Sequence, residues 1–386
     1  MRAAGVARGL SKRIRVGVGA LALLAAAPLF AQTQSVFVSG LNGPTKLDVT
    51  YLGGLLVSER GTGMNDGRLV VVDRLGNARA IVGGLPSGID ATNGVSGPQA
   101  VVVRGCCVVD LAIGEGDVLR FEGAPRQVPN PVGPNSPLYS TVLRFTFNRT
   151  LHTVSDAFEI TAADQATLVD GHAVEKNNSA GEWMKVRVLA DTKDFRPDPV
   201  TNVRGSNPFG MTDNRSQLGL LLADAGQNSV VAIGSWFGPP RTVVRFAQIR
   251  NAPRVVPPAS DAVPTSIRHY NGHEYLVSLL SGVPFLQGNA SIRLVNVVRR
   301  TQRPLITGLT SVTDVLPIGS SIYVLEISSN LSEGAPGRLL RFTSPTAQPE
   351  EIASGLVGAS GMTYSAPLRS IFIAESFAGR ITRVPL

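Results

Sequence analysis

The chain has 386 residues, 43% of them hydrophobic and 17% charged, which excludes wholesale disorder, since that needs low hydrophobicity and high charge. Its 41 Gly and 26 Pro make it rich in turns, and the length admits either two domains or one large all-β unit. The net charge of +8 falls to +3 once Arg2, Arg8, Lys12, Arg13 and Arg15 are set aside, and no concentrated basic run marks a nucleic-acid partner.

Residues 1–31 read as an export signal. Five bases are followed by the uncharged run Val16–Ala27, with Ala31 at a cleavage position. That run, about a dozen residues, is shorter than the roughly 20 that span a bilayer. Cleavage after Ala31 is expected, giving a monomeric protein of residues 32–386 without a transmembrane segment, in the periplasm or outside the cell.

From Pro44 onward, four short segments recur in one order. The first follows a turn and starts near Pro44, Pro98, Pro208, Pro264, Val312 and Ser360, at spacings of 54, 110, 56, 48 and 48. The second is apolar and ends at Glu59, Ile113, Asp224, Leu279, Glu326 and Glu375. The third alternates apolar and polar residues. In the second unit both GDVLRFE, to Glu122, and STVLRFT, to Thr146, fit it. The fourth closes on Gly-Leu at Leu85, Leu309 and Leu356. Four-stranded units repeating every 40–50 residues or so predict propeller blades, each burying its faces against its neighbours. The fold expected is all-β, a six-bladed β-propeller. The last unit lacks a fourth segment, and Ser35–Leu41 matches that pattern, so this N-terminal stretch is expected to complete the last blade.

The long second interval predicts an insertion at about residues 123–200. It holds a Pro-rich loop, Pro125 to Pro137, and a helix-like stretch, Thr161 to Asn177, that Thr161 and Asp164 are placed to cap. Cys106 and Cys107 are adjacent. Neighbouring Cα atoms sit about 3.8 Å apart, below the 4.4–6.8 Å of a relaxed bridge. The expectation is two unbridged residues on opposite faces of a strand. His269 and His273 flank Asn271-Gly272, a hairpin signal rather than a helical zinc site. His152 and His172 fall in the insertion.

Ser206-Asn207-Pro208-Phe209-Gly210 with the following LLLADAGQNSVV resembles the ScyD/ScyE family of exported propellers. So does the stretch from Pro264 to Val295, in which Gly282-Val283-Pro284-Phe285 is the most specific element. VTDVLPIGSSIYVLEI and the helix-like piece from His172 to Gly181 are similar as well. That family is similar in turn to NHL-type and gluconolactonase-type propellers. The resemblance implies a six-bladed ring, export and no established chemistry.

Two functions follow from different classes. The first is a binding or scaffold propeller presenting its channel mouth to a small ligand or a protein. Its candidate contacts are Thr45, Gln99, Asn207, Thr265 and Asp314 at the inner rim, with Phe285 and Trp236 on loops. The second is a cation-dependent hydrolase or lactonase. Glu59, Asp224, Glu326 and Glu375 close the second strand in four blades, and a converging set of carboxylates suits Ca²⁺. The competing expectation for these acids is that each accepts backbone N–H bonds in its own turn. At the rim positions where gluconolactonase-like propellers carry metal ligands, this sequence has hydroxyls, an amide and a Phe.

Overall fold

The computed structural model describes residues 34–123, 125–234 and 239–386. The proposed signal and Trp236 lie outside them. Six antiparallel sheets form the blades of a β-propeller. Blade one comprises Pro44–Val49, Leu55–Glu59, Gly67–Val72 and Ala78–Leu85. Blades three to five follow the same four-strand order.

The period of two dictates how the blades pack. Leu55 and Val57 point into the cluster shared with blade six, while Leu56 between them points into the cluster shared with blade two. Both faces of the strand are covered, so Leu55–Glu59 is buried throughout. Six apolar clusters result, one for each pair of neighbouring blades.

The ring closes as the sequence predicts. Ser35–Ser39 pairs antiparallel with Arg380–Pro385 and is the outermost strand of blade six. Phe37 packs on Phe372 with ring centroids 4.8 Å apart. Hydroxyls near the starts of the first strands add stitches between blades. Thr265 Oγ1 donates to Val312 O (3.0 Å), Thr313 Oγ1 to Ala359 O (2.8 Å) and Ser360 Oγ to Thr45 O (2.8 Å).

Blade two departs from the others. Its third strand is Thr141–Phe147, so STVLRFT supplies it; the GDVLRFE segment instead gives Leu119–Phe121, paired with Gln127–Pro129 in a separate hairpin. Its fourth strand is Trp183–Asp191, with Val174–Asn177 added outside as a fifth. The helix covers only Ala162–Val169, under a full capping box between Thr161 and Asp164. The expected helical character beyond it gives way to this edge strand after the turn at Gly171 (φ +88°). Phe158–Glu159 joins the edge of blade one in parallel, and Leu168, Phe158 and Met184 enlarge the core between blades one and two.

The cysteine expectation is overturned. Cys106 and Cys107 lie in the turn between the first two strands of blade two, not in a strand, and are bridged to each other. Gly105, at φ +83°, and the bond from Arg104 N–H to Val108 O close that turn. The cysteine carbonyls accept from Leu151 and Phe147. The other hairpin is as expected: Asn271 and Glu274 pair across it, and His269 meets Gly272 O at 3.1 Å. Among the described residues, no helix is long and apolar enough to cross a membrane.

Candidate functional site

Register fixes which residues are equivalent at the face where first strands begin. Pro44 faces Glu59, Pro208 faces Asp224, Val312 faces Glu326 and Ala359 faces Glu375. Each acid is spent within its own blade. Glu59 accepts from Asn42 N–H (3.0 Å) and Arg68 Nε (2.6 Å). Glu326 accepts from Thr310 N–H (2.7 Å) and Arg338 Nε (2.7 Å). Glu375 accepts from Val357 N–H (2.6 Å) and Arg380 Nε (2.8 Å). Asp224 has no Arg opposite; it takes Asn207 N–H and Gln227 N–H, both at 2.9 Å, and Ser206 Oγ. The geometry is that of turn anchors, one in each of four blades. Among the described residues, no group of three or more His, Cys, Asp and Glu is arranged to hold a metal ion. The missed signal was the Arg after Gly in GRL and GRI, which sits directly across from each Glu.

The axis of the ring is closed by charge. Lys46 Nζ donates to Ser360 O (2.7 Å) and Thr313 O (2.9 Å) and lies 3.6 Å from Asp314 Oδ2 and 5.1 Å from the centroid of Phe209. Arg268 donates to the same carboxylate oxygen (3.0 Å) and to Met362 O (2.9 Å). Burial pushes Lys46 down to about 8, with Asp314 opposing. Burial would raise Asp314, but Arg268 and Lys46 outweigh it and hold it below the ordinary carboxylate range. The void left beside Lys46, Met211 and Arg268 is about 10 Å³, room for about one water. Asp314, expected at the rim, is thus part of an internal plug. Thr265 is one of the stitches between blades, and Thr45 lends its carbonyl to another.

Two other expected residues do come together. In blade two the position facing Pro98 is Ile113, not an acid. The carboxylate comes two residues later, at Glu115, which the sequence reading passed over. Gly114 and Gly116 (φ +52°) carry the chain out of the strand there; the ring of Tyr139 fills the place of a side chain at Gly116. Glu115 Oε1 accepts from Asn207 Nδ2 at 3.1 Å. A Cβ on Gly114 would lie 2.6 Å from Ser96 Oγ, which accepts from Gly116 N–H, and 3.1 Å from both Asn207 Oδ1 and Gln99 Cγ, so these three side chains surround one glycine. Gln99 is 3% exposed. Neither Gln99 Oε1 nor Asn207 Oδ1 has a hydrogen-bond partner. Burial pushes Glu115 up to about 8, and the nearby Asp90 and Asp224 add to the rise. Nearby, Arg60 reaches toward Val95 O and lies over the ring of Phe377. Phe285 stands apart in a tight turn of blade four, its N–H on Gly282 O and the neighbouring Val283 O held by Ser260.

No family model and no curated protein matches this chain. Among solved structures, it is similar to a chain of the nidogen/laminin complex (13% identity, TM-score 0.34), covering 47% of this chain and 65% of that one, under two thirds of its length. A putative phosphatase from Bacteroides thetaiotaomicron is 9% identical over 90% of this chain and 72% of its own, with a TM-score of 0.46. A gluconolactonase from Xanthomonas campestris is 10% identical over 91% of this chain and 88% of its own, also at 0.46.

Proposed function

We propose that this chain is an exported binding propeller that takes a small donor-rich molecule, of the polyol or sugar class, at the notch of Gln99, Glu115 and Asn207. The observation that carries this reading is two buried amide oxygens without a donor, Asn207 Oδ1 beside Gly114 and Gln99 Oε1 on a side chain whose Cγ lies against the same glycine. A buried acceptor left unmade costs about 1–3 kcal/mol. Hydroxyls of one ligand, replacing water at the notch, would supply both donors. Glu115, protonated near neutral pH, can donate to or accept from the same molecule. The resemblance of its motifs to the ScyD/ScyE propellers is in keeping with this reading, since it implies an exported ring without assigned chemistry. Export rests on Arg2 to Ala27, and N-terminal sequencing of the exported protein is expected to begin at Gln32.

Calorimetric titration with a panel of sugars, polyols and aldonolactones tests the binding role. The expected result is saturable binding that weakens about tenfold or more in Asn207→Ala and Gln99→Ala, the loss of one or two hydrogen bonds from a buried site. If no panel member binds, or both variants bind as well as the parent, the reading fails. Turnover of a lactone with stoichiometric Ca²⁺ would instead establish the hydrolase.

A further inference from the structure

A groove of about 170 Å³ opens beside blade three, separate from the Gln99 notch in the residues that would contact a ligand. It is lined by Lys193, Phe195, Arg196, Gln227, Thr242 and Arg245. Lys193 precedes the hairpin of Phe195–Asp198 and Asn202–Gly205. Arg196 lies within it, and Arg245 ends the outer strand of blade three. The third arginine nearby, Arg204, is neutralised by Asp198 (3.2 Å) and Asp261 (3.1 Å). Among the described residues no carboxylate forms an ion pair with Lys193, Arg196 or Arg245. Arg196 uses Nε on Gln227 Oε1 and Nη1 on Pro197 O, and Arg245 uses Nη1 on Gln227 O. The remaining guanidinium donors are unspent. Asp224 borders the groove, but its oxygens are already taken by Asn207, Gln227 and Ser206. Residues 191–303, which include this hairpin and blades three and four, hold 13 Lys and Arg against 7 Asp and Glu. Outside residues 1–31, the excess of bases over acids falls in this stretch.

Gln227 is the device that makes a site of these groups. Its side-chain oxygen holds Arg196 and its backbone oxygen holds Arg245, while its Nε2 donates to Gly205 O at 2.9 Å. Two guanidinium groups are thereby tied to one residue, and each feels the other's charge. Arg forks match the oxygens of carboxylate and phosphate groups. Phe195, 40% exposed, offers a flat apolar surface at the same groove.

We infer that this groove binds an aryl oxyanion, its anionic head on Arg196, Arg245 and Lys193 and its ring against Phe195. Phenyl phosphate titrated into the purified protein at low salt is the probe. Saturable one-to-one binding is expected, weakened about tenfold in Arg196→Gln and in Arg245→Gln, since a charge-assisted bond contributes at least about 1.4 kcal/mol. Arg299→Gln, the same charge change on blade four outside the groove, is expected to alter affinity less than twofold. Phe195→Ala is expected to weaken phenyl phosphate while leaving inorganic phosphate unchanged. Lys193→Gln, at an exposed position, is expected to weaken phenyl phosphate binding without any folding defect, and unchanged affinity in it counts against the assignment. Absence of saturable binding, or equal loss in Arg299→Gln, overturns the assignment. Asn207→Ala leaves phenyl phosphate binding intact under this proposal, which keeps its outcome separate from that of the notch.

Discussion

At the scale of single residues, the notch shows what sequence reading catches and what it misses. Gln99 and Asn207 were legible because each is next to a repeated Pro, Gln99 after Pro98 and Asn207 before Pro208. Glu115 was not, because the repeat places its acid at the end of the second strand and blade two carries Ile113 there. Only the register displays an acid displaced by two positions. The displacement has a measurable result. Glu115 in the folded chain holds its proton to about pH 8, whereas the unfolded chain releases it near the ordinary Glu value of about 4.3. Between those limits the folded state binds more protons, so stability contributed here falls as pH rises. Glu115→Gln is therefore expected to raise the melting temperature at pH 8, with little effect at pH 4, the difference being on the order of a few kcal/mol. Melting curves across that range check it, and an identical shift at both pH values would refute it. Lys46 acts in the opposite sense. Its folded value near 8 lies below the unfolded one, so between about pH 8 and 10.4 its contribution to stability grows with pH.

At the scale of the strand and turn, the acids closing the second strands are structural rivets. Glu326 is fully buried. Removing it strands the Thr310 N–H and the Arg338 guanidinium together. Glu326→Ala is expected to lose about 2–3 kcal/mol, the cost of leaving a buried donor unpaired. Glu351, 47% exposed and 3.8 Å from the same arginine, is a contrast; Glu351→Ala is expected to cost less than about 1 kcal/mol. Denaturant midpoints of the two variants decide between them, and equal losses would sink the distinction. The elements themselves were largely readable, because a strand covered on both faces is a short apolar run between turns. The Cys106–Cys107 turn was not. CCVVDLAI continues the apolar pattern, and only Gly105 at positive φ marks where the chain reverses. In the insertion, the capping box at Thr161 was visible as a local signal, whereas the edge strand Val174–Asn177 depends on pairing with Trp183–Asp191 and has no local signature.

At the scale of the whole molecule, six interfaces form a cycle, so each blade is packed against two neighbours. Val38 and Leu41 are buried in the interface between blades six and one, each contributing about 1.5–3 kcal/mol. A chain lacking residues 1–41 is expected to lose several kcal/mol by that measure and to melt at a clearly lower temperature than one lacking only residues 1–31. Scanning calorimetry of both tests it, and equal melting temperatures would contradict the closing role of Ser35–Ser39. Ring closure was legible because it needs only two matching patterns. The plug at the axis was not, since Lys46, Arg268 and Asp314 come from blades one, four and five and meet only once the circle is complete.

That plug has a consequence for traffic. With Lys46 and Arg268 clamped on Asp314 and space left for about one water, the disc is a stoppered vessel and not a pipe. Under the proposed binding role, a solute held at Gln99 and Asn207 exchanges on its own side of that plug.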